Sequence, residues 1–182
     1  MKNNEDNELD DLLPDELKGD IVPEINPEKL FDENEYSTII IGSEGITKKD
    51  TDNADAVTVL VSNKSTREEK DEALKHLKAN NAQAFIINAI SRTKNPIHKA
   101  QIIASCWETG LDFSKDFQFF ISLVCDKDFN VSFEAFTVIQ EMESEIDSSI
   151  LKQALDSLLK IKDPSVAVTE TIHFIEQKLN TN

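Results

Sequence analysis

The sequence predicts an all-α domain of about four helix pairs set behind an acidic segment of different composition. Three observations carry this reading. From about Asp55 to Leu179 the apolar residues recur at i, i+3, i+4 and i+7, segment after segment. The punctuation between segments is that of helix ends: Asn95 stands before Pro96, Asp163 before Pro164, and Gly110 follows an apolar run. The formal net charge of -16 over 182 residues is also uneven, with about 11 of the net negatives ahead of Asp55.

Residues 1–52 are predicted to be a mostly disordered acidic leader. The first 35 residues mix Asp, Glu and Asn with three of the five prolines, and their scattered leucines offer too little apolar area to offset the entropy of ordering. Two apolar islands interrupt them, Leu9, Leu12 and Leu13 in ELDDLLPDEL and Leu30 with Phe31 in NPEKLF. A disordered segment with such islands can fold onto a partner's groove, which makes these five residues candidates for protein binding.

The stretch YSTIIIGSEGITKKD, residues 36–50, holds two of the chain's four glycines. A phosphate-gripping loop needs a glycine, four residues and then Gly-Lys-Ser or Gly-Lys-Thr opening a helix, so that backbone amides and the lysine converge on the anion. Here Glu44 lies between Gly42 and Gly45, and Lys48 and Lys49 precede Asp50. Glu44 would place negative charge where phosphate should sit, and the third glycine of a dinucleotide fingerprint is missing. The stretch is read as a hinge, with a docking arm at 36–46.

The body, residues 53–182, divides into helix pairs at roughly 54 to 79, 82 to 109, 114 to 142 and 147 to 179, the 30-to-40-residue period of a helical repeat array. AVTVLVS is read as helix despite its valines. Ala100, Ile103, Ala104 and Trp107 line one face of their segment; Ala135, Phe136, Ile139 and Met142 do so in theirs, and Val168, Ile172, Ile175 and Leu179 in the last. Ser65 with Glu68 has the spacing of a capping box, and Asp128 is placed to open a helix. Phe117, Phe119, Phe120, Phe133 and Phe136 form the expected central core.

Paired helices in which an acidic or amide residue and a proline precede an apolar run, as in KDPSVAVTETIHFI and TKNPIHKAQIIASC, resemble the HEAT repeats of the armadillo-like superfamily. The resemblance covers about 125 residues, all of the body and none of the leader. Where that family often carries a ladder arginine, this chain has Lys99, Ser132 and Ala167. The resemblance implies a right-handed α-α superhelix whose second helices line a shallow groove. It places His98, Gln101, Glu108, Glu134, Gln140, Glu141, Glu170 and His173 on that groove as candidate protein-binding residues.

Composition narrows the function classes. With 19 basic against 35 acidic residues the surface repels phosphate backbones, so neither nucleic acid nor an anionic membrane is an expected partner. The amino terminus lacks an apolar h-region, and AFIINAI and FFISLVC fall well short of the ~20 residues of a membrane helix. Cys106 and Cys125 lie in apolar helical patterns, where a free thiol behaves as a small hydrophobe, and a cytoplasmic setting is expected.

Little points to chemistry. His98 and Cys106 are eight residues apart, about 12 Å along one helix and too far for a dyad. No His or Cys spacing suits a metal, and acidic pairs such as Glu108 with Asp112 or Glu134 with Glu141 are expected from composition in so acidic a chain. The expected function is therefore a non-catalytic adaptor, scaffold or regulatory subunit without cofactor, binding a protein or peptide, favourably a basic one. A structural subunit of a larger assembly and a HEAT-like enzyme are the alternatives. Arg92, Lys94 and Lys99 form a small positive cluster that the acidic leader could contact.

Overall fold

The structure is a computed structural model that describes residues 48–181. The docking arm at 36–46 and both apolar islands of the leader lie outside the described residues. Eight α-helices and no strand occur among the described residues: α1 Lys48–Val61, α2 Arg67–Ala79, α3 Gln83–Arg92, α4 Pro96–Glu108, α5 Phe117–Val124, α6 Phe129–Gln140, α7 Ser148–Leu158 and α8 Val166–Thr181, with a 3-10 turn Ser114–Asp116 ahead of α5. The valine-rich AVTVLVS segment belongs to α1, where Val57, Leu60 and Val61 are buried with Ala54 and Ala56. Burial of one helical face settles its conformation against the β-branched residues' preference for strands.

Helix ends follow local chemistry. Asn95 Oδ1 accepts from the amides of Ile97 at 2.9 Å and His98 at 3.3 Å, with Pro96 at the first helical position of α4. Asp128 Oδ1 does the same for Asn130 and Val131 at 3.0 and 3.1 Å, opening α6. Gly110 takes φ +60°, the left-handed turn that closes α4. Three expected boundaries move. Helix α1 begins at Lys48, inside the stretch 36–50 read as a hinge and ahead of the body's expected start at 53. The capping box on α2 is Thr66 with Glu69, not Ser65 with Glu68: Glu69 N donates to Thr66 Oγ1 at 3.2 Å and Thr66 N to Glu69 Oε2 at 2.7 Å. Helix α8 starts after Pro164, because Ser165 Oγ takes the cap and accepts from Val168 N at 3.3 Å.

Consecutive helices pack as pairs, α1 on α2, α3 on α4, α5 on α6 and α7 on α8. The second helices of the last three pairs also pack on one another, so that α6 lies between α4 and α8, and α1 packs against α4. These row helices bury small and hydroxylated residues, among them Ala100, Ser105, Ser132, Ala135, Ala167 and Thr171. Their hydroxyls return to their own helices: Ser105 Oγ donates to Ile102 O at 2.6 Å, Ser132 Oγ to Phe129 O at 3.0 Å and Thr171 Oγ1 to Ala167 O at 2.7 Å. Buried oxygens are thereby satisfied without spending a contact between helices.

One continuous apolar cluster runs through the pairs. Phe117, Phe120 and Phe136 are buried in it and Phe119 packs against it, but Phe133 is 45 % exposed and stands outside the core. Cys106 is fully buried as expected, whereas Cys125 is exposed at the end of α5. No helix among the described residues is long and apolar enough to cross a membrane.

Candidate functional site

The solvent side of the row begins with α4, where the buried arc of Ala100, Ile102, Ile103, Ser105 and Cys106 leaves Ile97, Gln101, Ala104, Trp107 and Glu108 exposed or half-buried. On α6 the arc of Val131, Ser132, Ala135, Phe136, Val138 and Ile139 leaves Phe129, Phe133, Glu134, Thr137 and Gln140 outward. The two helices are joined on this side by Trp107 Nε1, which donates to Glu134 Oε2 at 3.0 Å. Phe129 and Phe133, one turn apart, stack with centroids 5.6 Å apart and planes at 20°.

The groove residues expected from sequence are not equivalent. Glu108 and Glu134 come together across α4 and α6, while Gln140 and Glu141 are exposed at the end of α6 and Glu170 and His173 on α8. His98 is only 4 % exposed and packs inward rather than presenting its ring to a groove. Gln101 is half-buried, and its Oε1 has no hydrogen-bond partner among the described residues. Leu9, Leu12, Leu13, Leu30 and Phe31 lie outside the described residues.

Electrostatics distinguish the carboxylates. Burial, then the neighbouring Glu134, pushes Glu108 above its ordinary value, and Lys70 of α2 only partly offsets this. Asp112 is held below its ordinary value because hydroxyls of Ser114 and Ser144 donate to it, with Ser114 N 3.0 Å from Oδ1. The Ser144 hydroxyl's bond to Asp112 ties the turn after α4 to the segment after α6. Glu108 and Asp112 thus act in separate settings, and Glu108 shares its environment with Glu134 instead.

A cleft of about 60 Å³ opens between the ends of α4 and α6, lined by residues including Cys106, Trp107, Leu111, Val138, Glu141 and Met142. It has room for a few waters and is far below the roughly 300–1,000 Å³ of pockets that take small ligands. Burial pushes the Cys106 thiol well above its ordinary value, which keeps it in the weakly nucleophilic neutral form. No cluster of three or more metal-ligating side chains occurs among the described residues.

The sequence pattern groups Trp107 and Phe133 with the core, and the structure turns both to solvent. For Phe133 the signal was available: on a helical wheel centred on Ala135 and Ile139, it falls on the opposite side. No family model, curated protein or solved structure matches the chain.

His98 gives a pH-dependent expectation. Burial holds its imidazole below the ordinary 6.5, so the neutral ring is the form the fold accepts. The stability this lends is complete above pH 6.5 and is lost as pH falls through the lowered folded value. Urea unfolding measured from pH 7.5 down to 5 should therefore show a falling midpoint whose slope is smaller in His98→Gln. Parallel curves for the two proteins would contradict it.

Proposed function

We propose that the chain is a non-catalytic protein-binding module, an adaptor, scaffold or regulatory subunit, built as a HEAT-like right-handed superhelix. The repeat reading is supported by four consecutive packed pairs and by the caps Asn95, Asp128 and Ser165, which open the adjoining helices α4, α6 and α8 at intervals of roughly 35 residues. The observation that carries the binding reading is the exposed aromatic face. Phe129, Phe133 and Trp107 are 61, 45 and 40 % exposed on two helices that pack directly against each other. Scattered surface apolar residues are ordinary, but three large aromatics exposed on two neighbouring helices have the composition of an interface centre. A cytoplasmic location and the absence of a cofactor belong to the same proposal.

Affinity capture from native extract tests it, using the full chain and a chain beginning at Lys48, which leaves α1 whole. A stoichiometric protein partner retained by the shorter chain assigns binding to the helical body. A partner lost with the first 47 residues assigns it to the leader. Recovery of no partner by either bait, at low salt and with gentle washing, would remove the proposal's basis.

A further inference from the structure

We propose that the exposed face of α4 and α6 docks a basic, amphipathic segment of a partner protein, with apolar side chains on Phe129, Phe133 and Trp107 and lysines or arginines against Glu108, Glu134 and Glu141. This rests on the protein-binding reading above and gives the partner a chemistry.

The apolar half of the site comes from geometry. Phe129 and Phe133 stack on each other while each keeps about half or more of its surface in water, so a planar apolar platform stands on the first turns of α6. Covering such rings removes apolar area at roughly 25 cal/mol per Å², and aromatics at the centre of an interface contribute more than their share of its affinity. The indole of Trp107, on the neighbouring α4, is anchored to α6 by its bond to Glu134. Held there, it offers a fixed ring at little entropic cost on binding.

The polar half comes from charge. Glu134 lies close enough to Glu108 to oppose its ionisation, and Glu141 borders the cleft beside the indole together with Asp112 and Glu143. Lys70 is the nearby cation that offsets Glu108 in part. An incoming ammonium or guanidinium would relieve that repulsion and could also lie over the Trp107 ring, which attracts cations to its face.

The same charges decide against other occupants. The leader's islands, ELDDLLPDEL and NPEKLF, would bring their own Asp and Glu against Glu108 and Glu134. A second copy using the same face about a two-fold axis would oppose carboxylates with carboxylates. Nucleic acid would add phosphate to the same field.

The test is selection from a random peptide library on the full chain, followed by titration of enriched synthetic peptides. Trp107 is the sole tryptophan, so intrinsic emission reports from within the site. The expected result is enrichment of sequences combining Lys or Arg with Leu, Ile, Met or Phe, a blue shift of emission on binding, and weaker binding at higher salt. Phe129→Ser with Phe133→Ser should weaken the best peptide about tenfold or more. Glu108→Gln with Glu134→Gln should weaken it less and flatten the salt dependence. The Phe positions are exposed, and unchanged urea unfolding would show that the variants remain folded.

Enriched peptides without basic residues, an emission spectrum that does not move, binding indifferent to the Phe substitutions, or no enrichment would each overturn the proposal. Native partner capture separates its failure from that of the broader reading. A partner held equally by the Phe-substituted chain would sink this site and leave the module reading standing, whereas loss of every partner would remove both.

Discussion

Replacing Phe120 with alanine is expected to destabilise the folded chain by about 3–5 kcal/mol, the cost of deleting a fully buried aromatic side chain that the surroundings cannot refill. Phe120 is completely buried on α5, with Phe113 edge-on at 5.8 Å and Phe119 edge-on at 5.4 Å. Those T-shaped contacts add to the area term. Helix α5 has only eight residues and no side-chain cap hydrogen bond, so tertiary packing rather than local propensity holds it. It also touches α6, α7 and α8, which places the cavity where three other helices meet. Urea unfolding should show a lower midpoint at nearly unchanged slope. A loss below about 1 kcal/mol would mean that the neighbours collapse into the space, against the packing described.

A second sizeable effect is expected at Asn53, a polar residue buried to 2 % on α1. Its Oδ1 accepts from Asn80 Nδ2 at 3.1 Å, and the same Nδ2 lies 2.8 Å from His76 Nε2. This amide bridge fastens the carboxyl-terminal end of α2 to α1, and α2 itself buries only Ala73 and Leu77. Asn53→Ala removes the acceptor and leaves a partly buried amide donor poorly satisfied, at a cost of about 1–3 kcal/mol. The loss should be local. Native-state hydrogen exchange should quicken across residues 67–79 while the amides of α4 and α6 keep their protection. Uniform quickening of all helices would show that α2 unfolds only with the whole body.

Much of this fold was legible in the sequence because apolar periodicity and capping residues act locally. The boundaries between the pairs, the caps at Asn95 and Asp128 and the left-handed turn at Gly110 needed no knowledge of tertiary partners, whereas the start of α1 at Lys48 lies in a stretch that composition assigns to the leader. Where the reading slipped, the local code was degenerate. Ser65 and Thr66 each stand three residues before a glutamate, so spacing alone could not choose between them. Pro164 is followed by Ser165, a better cap than a proline at the first helical turn is a signal.

The site was less legible, since exposure is decided by which arc a neighbouring helix covers. Phe133 and Phe136 are both phenylalanines of α6, yet one stands in water and the other in the core. Conversely His98 carries a polar ring on the row helix α4 but packs inward. The link between Trp107 and Glu134 joins residues 27 apart and is set by how α4 lies on α6. Neither residue's immediate sequence carries it.

The most direct test of the proposed role is amide hydrogen exchange of the full chain, alone and saturated with its best basic peptide. Slowing concentrated at residues 104–108 of α4 and 129–134 of α6 is the expected result. Slowing confined to α3, α5 and α7, or to residues ahead of Lys48, would contradict the account and move the binding surface elsewhere.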